Sequence, residues 1–414
     1  MRILWVKAGK LLPVDTGGKI RSFNLLRQLA TRHDVTLLSY YGGGYDPAYE
    51  RALRDEFPRA VPMHTGPLDR STASRLFDFA RRSLSPAPYA VSKFTSPRVR
   101  RQIVEWDQTG AFDVAVCDFL AASLNFPASC HTPTVLFQHN VESMLWQRRA
   151  DTEAHPLKRL VTVREARKMS RYEHQTVARF RHVIAVSDVD RRAMATMTDP
   201  RSIHVVPTGV DTRAFRPDVR NESPSPEVLF LGSMDWEPNI DAVRYFCEAI
   251  WPAVRARVPE ARFRVVGRLP PASVQALGSD SVEIVGRVPS VGEHLHRTAV
   301  FVVPLRIGGG TRLKIYEAMG AAKAVVSTTI GAEGLDVDHG TNILLADDPG
   351  TFADSVVRLL RNPAERRALE DGALALAARY DWSTIAGQFE DVLVQVAGSA
   401  SLDGSAPGRA QAVA

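Results

Sequence analysis

Short apolar runs alternate with amphipathic stretches along most of the chain, and this pattern predicts strands that alternate with helices. The runs are apolar at successive positions, as expected for strands of parallel sheets that are covered by helices on both faces. In the first half they are predicted at residues 2–7, 35–40, 113–117, 134–137, 182–186 and 203–206. In the second half they are predicted at residues 228–231, 263–266, 282–284, 301–304 and 324–327. The alternation predicts an α/β protein with two doubly wound parallel sheets.

A polar, proline-rich segment interrupts this pattern and divides the chain. We therefore expect an N-terminal α/β domain over residues 1–207, a linker over 208–226 and a C-terminal α/β domain over 227–381. A last helix is predicted over 382–398, and the small, polar residues 399–414 are predicted to be a disordered tail. The length of 414 residues fits two domains rather than one.

Composition narrows the class of protein. Hydrophobic residues make up 45% and charged residues 24% of the chain, which is ordinary for a globular enzyme. The three cysteines are widely spaced and form no CxxC pair, so neither a disulfide framework nor a zinc site is indicated. The chain contains no run of eighteen apolar residues and begins with too short an apolar segment for a signal peptide. We expect a cytoplasmic protein whose net charge of +6 suits anionic ligands.

A glycine-rich loop follows the apolar run at residues 301–304. The consecutive glycines Gly308, Gly309 and Gly310 let the backbone approach a ligand closely. Thr311 is a plausible N-cap for the helix that follows, and the free N–H groups at a helix N-terminus bind anions. The loop therefore predicts a site for a negatively charged group.

Charged residues at the start of that helix strengthen this interpretation. Arg312 and Lys314 lie in the predicted first turn, where cations oppose the helix dipole unless an anion compensates. Glu317, one turn after Lys314, is placed to accept hydrogen bonds from a ribose diol. The alternative is an amphipathic helix with solvated charges. The coincidence of glycines, two cations and one acid after a buried strand favours a nucleotide site.

Polar groups also follow two predicted strands of the N-terminal half. Gly17 and Gly18 form the first glycine turn after the first strand, where doubly wound folds bind ligands. His139 and Glu142 follow the strand at 134–137, although a lone histidine is usually structural and Glu142 could cap the next helix. The sequence alone leaves both roles open.

The stretch from Gly308 to Glu317 resembles the signature of the retaining glycosyltransferases of family 4. That resemblance implies the GT-B fold, in which two Rossmann-like domains face each other across a cleft. Most of the family has two glutamates eight positions apart here; Glu317 matches the second, which binds the ribose, and Gly309 occupies the position of the first. The GTRLK pattern is most similar to transferases of bacterial capsules and exopolysaccharides.

The resemblance also implies roles for residues outside this stretch. The family has a histidine that contacts the donor sugar and the scissile linkage, so His139 is expected to face the cleft, partly exposed. Gly17 and Gly18 match the family's glycine loop, and Val288 lies where the backbone reads the nucleobase. Gly232 opens the first turn of the second domain.

Positive residues that the family has near this glycine are replaced here. The family commonly has an arginine after the glycine and a lysine some residues later, both on the diphosphate, where this chain has Ser233 and Asn239. Neutralisation of the diphosphate is therefore expected to fall to Arg312 and Lys314.

The resemblance predicts an enzyme that transfers a sugar from a nucleoside-diphosphate sugar to a hydroxyl, with retention and without a metal or other cofactor. Arg312 and Lys314 would stabilise the leaving diphosphate while His139 orients the sugar. The acceptor would be a glycan, a lipid-linked sugar or a small molecule, in polysaccharide, glycolipid or glycosylated-metabolite biosynthesis. Two alternatives remain open: a nucleotide-sugar epimerase of the same fold, and a non-catalytic subunit that binds sugar nucleotides or membranes.

Two other charged features of the sequence allow different interpretations. The triplets Asp188 to Asp190 and Asp336 to Asp338 mimic the metal clamp of another glycosyltransferase fold, but one opens a predicted helix and the other lies in a loop. The basic residues at 146–182 are best interpreted as the solvent-exposed face of a helical region. Such a face would also suit contact with anionic lipid at the inner side of a membrane. We predict no partner nucleic acid.

Overall fold

The computed structural model describes residues 1–66, 72–153, 155–215, 225–307 and 312–403. The chain forms two compact units. The N-unit contains Met1–Pro207 and the residues from Ile385 onward, and the C-unit contains Thr208–Thr384.

The N-unit is built on a parallel sheet of seven strands in the order β3-β2-β1-β4-β5-β6-β7. Its strands are β1 (Arg2–Ala8), β2 (Asp34–Tyr41), β3 (Ala60–His64), β4 (Val114–Asp118), β5 (Thr134–Phe137), β6 (His182–Ala185) and β7 (Ile203–Val205). Its helices before the linker are α1 (Gly17–Leu29), α2 (Pro47–Glu56), α3 (Thr72–Ser83), α4 (Tyr89–Ser92), α5 (Pro97–Gln108), α6 (Glu142–Thr152), α7 (Pro156–Arg179) and α8 (Asp188–Met194). All residues of the central strand β4 are buried, as expected when helices cover both faces of a sheet.

The C-unit is built on a parallel sheet of six strands in the order β10-β9-β8-β11-β12-β13. Its strands are β8 (Glu227–Leu231), β9 (Arg262–Val266), β10 (Val282–Gly286), β11 (Val300–Val303), β12 (Ala324–Ser327) and β13 (Leu344–Leu345). Its helices are α9 (Thr212–Phe215), α10 (Glu237–Tyr245), α11 (Trp251–Arg257), α12 (Ala272–Gln275), α13 (Gly292–Arg297), α14 (Leu313–Gly320), α15 (Pro349–Arg361) and α16 (Pro363–Arg379). The last helix of the chain is α17 (Trp382–Asp403).

These two sheets confirm the predicted α/β class, and they contain two strands that the apolar pattern did not predict. β3 includes Pro62 and lies at an edge of its sheet, where a strand tolerates a proline because one side of its backbone is unpaired. β13 has only two residues, too few for a periodic signal.

The last helix differs from its prediction. The sequence predicts that this helix ends at residue 398 and that a disordered tail follows from 399. In the structure, α17 continues to Asp403. The added residues include Ala400 and Leu402, which are good helix formers, so the helical hydrogen bonds continue without a stop signal.

The middle of α17 is held firmly in the N-unit. The ring of Phe389 is fully buried and stacks on Trp5 at 5.4 Å between centroids, with Phe137 edge-on at 5.0 Å. Next to it, Glu390 Oε1 lies 2.8 Å from His33 Nε2. Apolar and polar contacts together fasten this helix to the sheet.

Backbone hydrogen bonds align the loops at the carboxyl ends of β8, β9 and β10. The N–H of Gly232 donates to Val266 at 3.0 Å, and the N–H of Gly267 donates to Gly286 at 2.9 Å. A Cβ on Gly267 would lie only 1.7 Å from the carbonyl oxygen of Gly232, so position 267 requires glycine. These loops are therefore fixed where ligands of open α/β sheets bind.

Candidate functional site

The helix that follows β11 begins later than the sequence predicted. α14 starts at Leu313, and its N-cap residue is Arg312, whose side chain makes no capping hydrogen bond. The prediction of Thr311 as the N-cap is therefore wrong. Arg312 thus lies just before the first turn and Lys314 within it. The predicted glycines Gly308, Gly309 and Gly310, like Thr311, lie outside the described residues.

Lys314 contacts side chains of strand β8 and helix α10 of the C-unit. Its Nζ donates to Asn239 Oδ1 at 3.0 Å and lies 4.4 Å above the ring of Phe230. Asn239 Nδ2 in turn donates to the carbonyl of Ser233 at 2.8 Å. A Cβ on Gly232 would lie 2.8 Å from the Asn239 amide, so the glycine makes room for this contact. The asparagine at the position of the family's lysine thus orients a lysine from another helix, α14.

A second cation and a carboxyl group complete this cluster. The Arg312 side chain is buried, with its guanidinium carbon 5.1 Å from the centroid of Trp236. Burial and the nearby charge of Arg312 lower the pKa of Lys314 to about 7, although Glu317 opposes the shift. Burial raises the pKa of Glu317 to about 7, although Lys314 opposes it. An anion beside these cations would relieve their repulsion.

Two further residues follow strands of the same sheet at their carboxyl ends. Val288 is partly buried and follows the edge strand β10, so it lies at the carboxyl end of the same sheet as Gly232. Arg268, which the sequence interpretation missed, follows β9 and donates from Nε to Ser233 Oγ at 2.7 Å and from Nη2 to Asp235 at 3.2 Å. The sequence feature that could have identified Arg268 is its position directly after the glycine that follows a predicted strand.

The predicted glycine turn of the N-unit meets the predicted histidine. Gly17 is the first residue of α1, and its N-cap residue Thr16 makes no side-chain capping bond. A Cβ on Gly18 would lie 2.8 Å from the Phe119 ring and 3.6 Å from His139 Nδ1. The fold therefore brings Gly18 and His139 together, although they lie on different β-α connections.

His139 is fully buried, so the expectation that it is partly exposed is wrong. Its ring stacks on Phe119 with centroids 4.0 Å apart and contacts Phe137 at 4.3 Å. These two aromatic rings and the backbone of Gly18 cover the imidazole. Burial lowers its pKa to about 4, although Asp118 opposes the shift, so the ring is neutral at physiological pH.

Asp118 is the most important group that the sequence interpretation missed. This fully buried residue ends β4, and its Oδ1 lies 2.8 Å from His139 Nε2. Its Oδ2 accepts hydrogen bonds from Trp5 Nε1, Lys7 Nζ and Ser22 Oγ at 2.9, 2.9 and 2.7 Å. Despite burial, Lys7 and His139 hold the pKa of Asp118 well below its usual range. An acid at the carboxyl end of an apolar strand was a signal that could have identified it.

Glu142 does not cap the helix that it begins. The N–H groups of Glu142 and Ser143 donate to the two carboxylate oxygens of Glu173 on α7, at 2.8 and 2.9 Å. The capping hypothesis for Glu142 is therefore wrong. Burial and the nearby Glu173 raise the pKa of Glu142 to about 7.

The Asp-x-Asp triplets have structural contacts. Asp190 accepts from Ser187 Oγ, and Asp188 pairs with Arg191 at 3.0 Å, both at the start of α8. Asp336 accepts from Tyr380 Oη at 3.2 Å. Within the part of the chain that the structure describes, no group of three or more His, Cys, Asp or Glu side chains could hold a metal ion, and no helix is long and apolar enough to cross a membrane.

Two family models match the chain. A model described as Glycosyltransferase Family 4 matches residues 16–214, and one described as Glycosyl transferases group 1 matches residues 225–362. Together they span both units.

Curated relatives match over part of their length. The chain is 29% identical over 254 residues to a D-inositol 3-phosphate glycosyltransferase of Nocardioides sp., covering 53% of this chain and 55% of the relative. It is 28% identical over 228 residues to a phosphatidyl-myo-inositol mannosyltransferase of Mycobacterium leprae, covering 53% and 60%. The chain thus spans little more than half the length of these relatives.

Solved structures share the fold over nearly the whole chain. A sucrose-phosphate synthase from Thermosynechococcus elongatus has a TM-score of 0.72 at 17% identity, covering 96% of this chain and 100% of that one. HepE of Anabaena, solved in complex with UDP and glucose, has a TM-score of 0.65 at 15% identity, covering 95% and 100%. Both sheets of the present chain follow this GT-B architecture.

Proposed function

Because the chain belongs to the glycosyltransferases, with a family 4 model in the N-unit and a group 1 model in the C-unit, we propose that it transfers a sugar from a nucleoside-diphosphate sugar to a hydroxyl acceptor. The observation that carries this proposal is the cluster of Arg312, Lys314 and Glu317 at the start of α14. Burial and the nearby Arg312 disfavour the ammonium form of Lys314, which a bound diphosphate would favour, and the carboxyl group one turn later suits a ribose.

In the proposed donor complex, Lys314 and Arg312 contact the diphosphate oxygens. The contact from Asn239 holds the Lys314 ammonium in place before the donor arrives, so little side-chain entropy is lost on binding. Glu317 accepts hydrogen bonds from the ribose hydroxyls. Gly232 supports this site by leaving room for the Asn239 amide, which holds Lys314.

The reaction breaks the bond between the anomeric carbon and the diphosphate oxygen, and it forms a bond from that carbon to the acceptor oxygen. The proton of the acceptor hydroxyl passes to the leaving phosphate oxygen on the same face of the sugar, so the configuration is retained and no separate base is needed. Negative charge grows on the diphosphate as the bond breaks. Arg312 and Lys314 therefore stabilise the transition state more than the bound donor, a contribution of about several kcal/mol in a preorganised site.

His139 is proposed to bind the donor sugar through its imidazole. Its ring is neutral, so it acts as a hydrogen-bonding group and not as a cation. Gly18 lies beside its Nδ1 atom, where a Cβ would lie only 2.8 Å from the Phe119 ring, so glycine is required for this packing. The relatives' acceptors are named as inositol compounds, and we propose a hydroxyl of a polyol, glycan or lipid-linked sugar as the acceptor here.

Release of free nucleotide from a panel of UDP-, GDP- and ADP-sugars tests this function. A glycosyltransferase should release nucleotide slowly with water and faster with an acceptor. An epimerase would alter the sugar without release, and a non-catalytic subunit would bind nucleotide only. Arg312→Gln should lower kcat strongly, whereas Arg306→Gln should not, because Arg306 is half exposed and pairs with Asp241 on the surface. Equal kcat in the two variants would contradict the role of Arg312.

A second partner is proposed from the N-unit surface: an anionic membrane. Leu157, Leu160 and Val161 are exposed on the first turns of α7, which we call the α7 tip. Lys158 and Arg159 are exposed between them. Apolar side chains interleaved with cations match the interface of a membrane with anionic headgroups.

Two further exposed apolar side chains, Phe77 and Leu84, lie on or beside α3. Ser83, the neighbour of Leu84, accepts a hydrogen bond from Lys168 of α7, so the end of α3 lies beside α7. Leu84 therefore lies close to α7, and both side chains add to the exposed apolar residues of the N-unit.

Co-sedimentation with vesicles tests the membrane contact. Vesicles of phosphatidylcholine with phosphatidylglycerol should retain the protein, and pure phosphatidylcholine should not. The variant Leu157→Ser with Leu160→Ser should bind less, whereas Val394→Ser, an exposed change on α17, should bind as the wild type does. Equal binding by the tip variant would remove this surface from the proposal.

A further inference from the structure

The two carboxylate oxygens of Asp118 have different partners. Oδ2 accepts hydrogen bonds from Trp5 Nε1, Lys7 Nζ and Ser22 Oγ, which fix the carboxylate within the N-unit sheet. Oδ1 lies 2.8 Å from His139 Nε2. One oxygen thus anchors the group, and the other is directed at the imidazole.

This arrangement determines which nitrogen of His139 carries the proton. An ionised carboxylate only accepts hydrogen bonds, so Nε2 must be the donor. In a neutral imidazole, the other nitrogen then presents a lone pair. Nδ1 is buried, and no described residue donates a hydrogen bond to it. It lies 3.6 Å from the position that a Cβ of Gly18 would occupy, so the glycine of the first turn lies beside it.

The Phe119 ring lies against one face of this imidazole. Its backbone has φ 73°, a conformation that costs a bulky residue free energy and that persists only where the surroundings impose it. Its ring is half-buried and stacks on the imidazole. Because Nδ1 is buried, a hydroxyl can reach it only if a covering group moves, and we expect the half-buried Phe119 to be that group.

We propose that Asp118 is a positioning residue that holds His139 in the Nε2–H tautomer, so that Nδ1 accepts a hydrogen bond from a hydroxyl of the substrate. The sugar must then supply a donor at this point, and a group that can only accept is rejected. This inference rests on the proposed function, since it assigns the histidine to sugar binding. The alternative is a purely structural polar cluster, in which the tautomer has no effect on turnover.

Nitrogen NMR of the protein labelled with [¹⁵N]histidine tests the tautomer directly. The chemical shifts of Nδ1 and Nε2 distinguish the two neutral tautomers from the imidazolium, and loss of a signal in His139→Gln assigns it. We expect a neutral ring with the proton on Nε2. A proton on Nδ1, or a charged ring near pH 7, would overturn the proposal. The measurement needs no substrate, so its result is independent of whether nucleotide release is found.

Asp118→Asn tests the link to turnover. The Asn side chain can keep its oxygen toward Lys7 and turn its NH₂ toward the imidazole, which forces the proton of His139 to Nδ1. We expect kcat to fall about 10²- to 10⁴-fold, as for other imidazoles held in the wrong tautomer, with the Kd of UDP within about twofold of wild type. A flipped tautomer with normal kcat would overturn the proposal.

Asp113→Asn is the matched control. Asp113 precedes the same strand at its other end, where it pairs with Arg2 at the surface. This variant should keep the wild-type tautomer and kcat. A comparable loss of kcat in both variants would assign the effect to β4 as a whole and contradict the role of Asp118.

The Asn variant leaves Lys7 buried beside a neutral group, which endangers folding. The double variant Lys7→Met with Asp118→Asn removes that cation and should show the same flipped tautomer and the same low kcat. If neither variant folds, the tautomer of the wild-type protein decides, because a proton on Nδ1 contradicts the proposal without any substitution.

Discussion

At the scale of single residues, burial changes the ionisation of Lys314 and Glu317, which we propose to bind the diphosphate and the ribose. Both pKa values are shifted to about 7 from opposite directions, because burial disfavours the charged form of each. Arg312 adds to the shift of Lys314 by repulsion. A bound diphosphate would reverse this balance by favouring the ammonium.

This balance predicts that donor affinity is greatest near neutral pH. Above about pH 7 the free protein loses the proton of Lys314, so donor binding must take up a proton, and affinity should fall by up to about tenfold per pH unit. Below about pH 7 Glu317 becomes protonated in the free protein, so binding a ribose through the carboxylate must release that proton, and affinity falls again. The pH dependence of donor affinity therefore has opposite signs above and below about pH 7, because Lys314 must gain a proton on binding and Glu317 must lose one.

Calorimetric titration with UDP-glucose, whose own phosphates do not titrate in this range, measures that profile. Repeating it in buffers of different ionisation enthalpy gives the number of protons taken up. Lys314→Met should lose the alkaline limb and keep the acidic one. An alkaline limb that persists in this variant would assign the titration to another group.

Glu317→Ala should weaken nucleotide binding without unfolding the chain. No described residue donates a hydrogen bond to this carboxyl group, and its ionisation is already disfavoured, so the folded protein loses little. The ribose loses a charged acceptor, a cost of about 1.5 to 3 kcal/mol in binding free energy. Titration with UDP measures it, and Glu293→Ala, an exposed first-turn change on α13, is the control. Unchanged affinity in the folded variant would remove Glu317 from the ribose.

At the scale of secondary-structure elements, the local apolar pattern predicted some strands correctly and missed others. β5 and β12 have the predicted bounds because their apolar runs are continuous and end at polar residues. β3 was missed because a proline breaks its pattern and only pairing with β2 defines it.

The environment of the candidate residues could not be predicted in the same way. The burial of His139 depends on Phe119 and on Asp118, which come from the neighbouring strand connection. The contact of Lys314 with Asn239 joins residues 75 positions apart. Residue types and strand ends are local properties of the sequence, whereas these contacts arise only when several strands assemble.

The attachment of α17 to the N-unit depends on Phe389. Its ring is fully buried between Trp5 and Phe137, so Phe389→Ala should leave a cavity and destabilise the N-unit by about 3 to 5 kcal/mol. Val394→Ala on the same helix is the control: its side chain is half exposed, and its loss should change stability by no more than about 0.5 kcal/mol. Thermal unfolding of both variants measures this. Equal melting temperatures would mean that the helix contributes little to the N-unit.

At the scale of the whole molecule, the chain carries enough positive charge of its own to neutralise the proposed diphosphate. The net charge is +6, and the described C-unit concentrates Arg312, Lys314 and Arg268 at the carboxyl edge of one sheet. Meanwhile both Asp-x-Asp triplets are occupied by structural partners: Asp190 by Ser187, and Asp336 by Tyr380. Carboxylates engaged in this way are poorly placed to bind a bridging cation.

We therefore predict that transfer activity persists in EDTA, because arginine and lysine side chains supply the stabilisation that a metal ion supplies in other phosphate-releasing enzymes. The measurement is nucleotide release from the preferred donor after dialysis against EDTA, with and without added Mn²⁺ or Mg²⁺. Asp336→Asn should retain activity in every condition, whereas Arg312→Gln should remain slow even when metal is added. Activity that is lost in EDTA and restored by Mn²⁺ in the wild type, but not in Asp336→Asn, would instead make that triplet a metal site. In that case a bound metal ion, and not Arg312 and Lys314, would stabilise the leaving group.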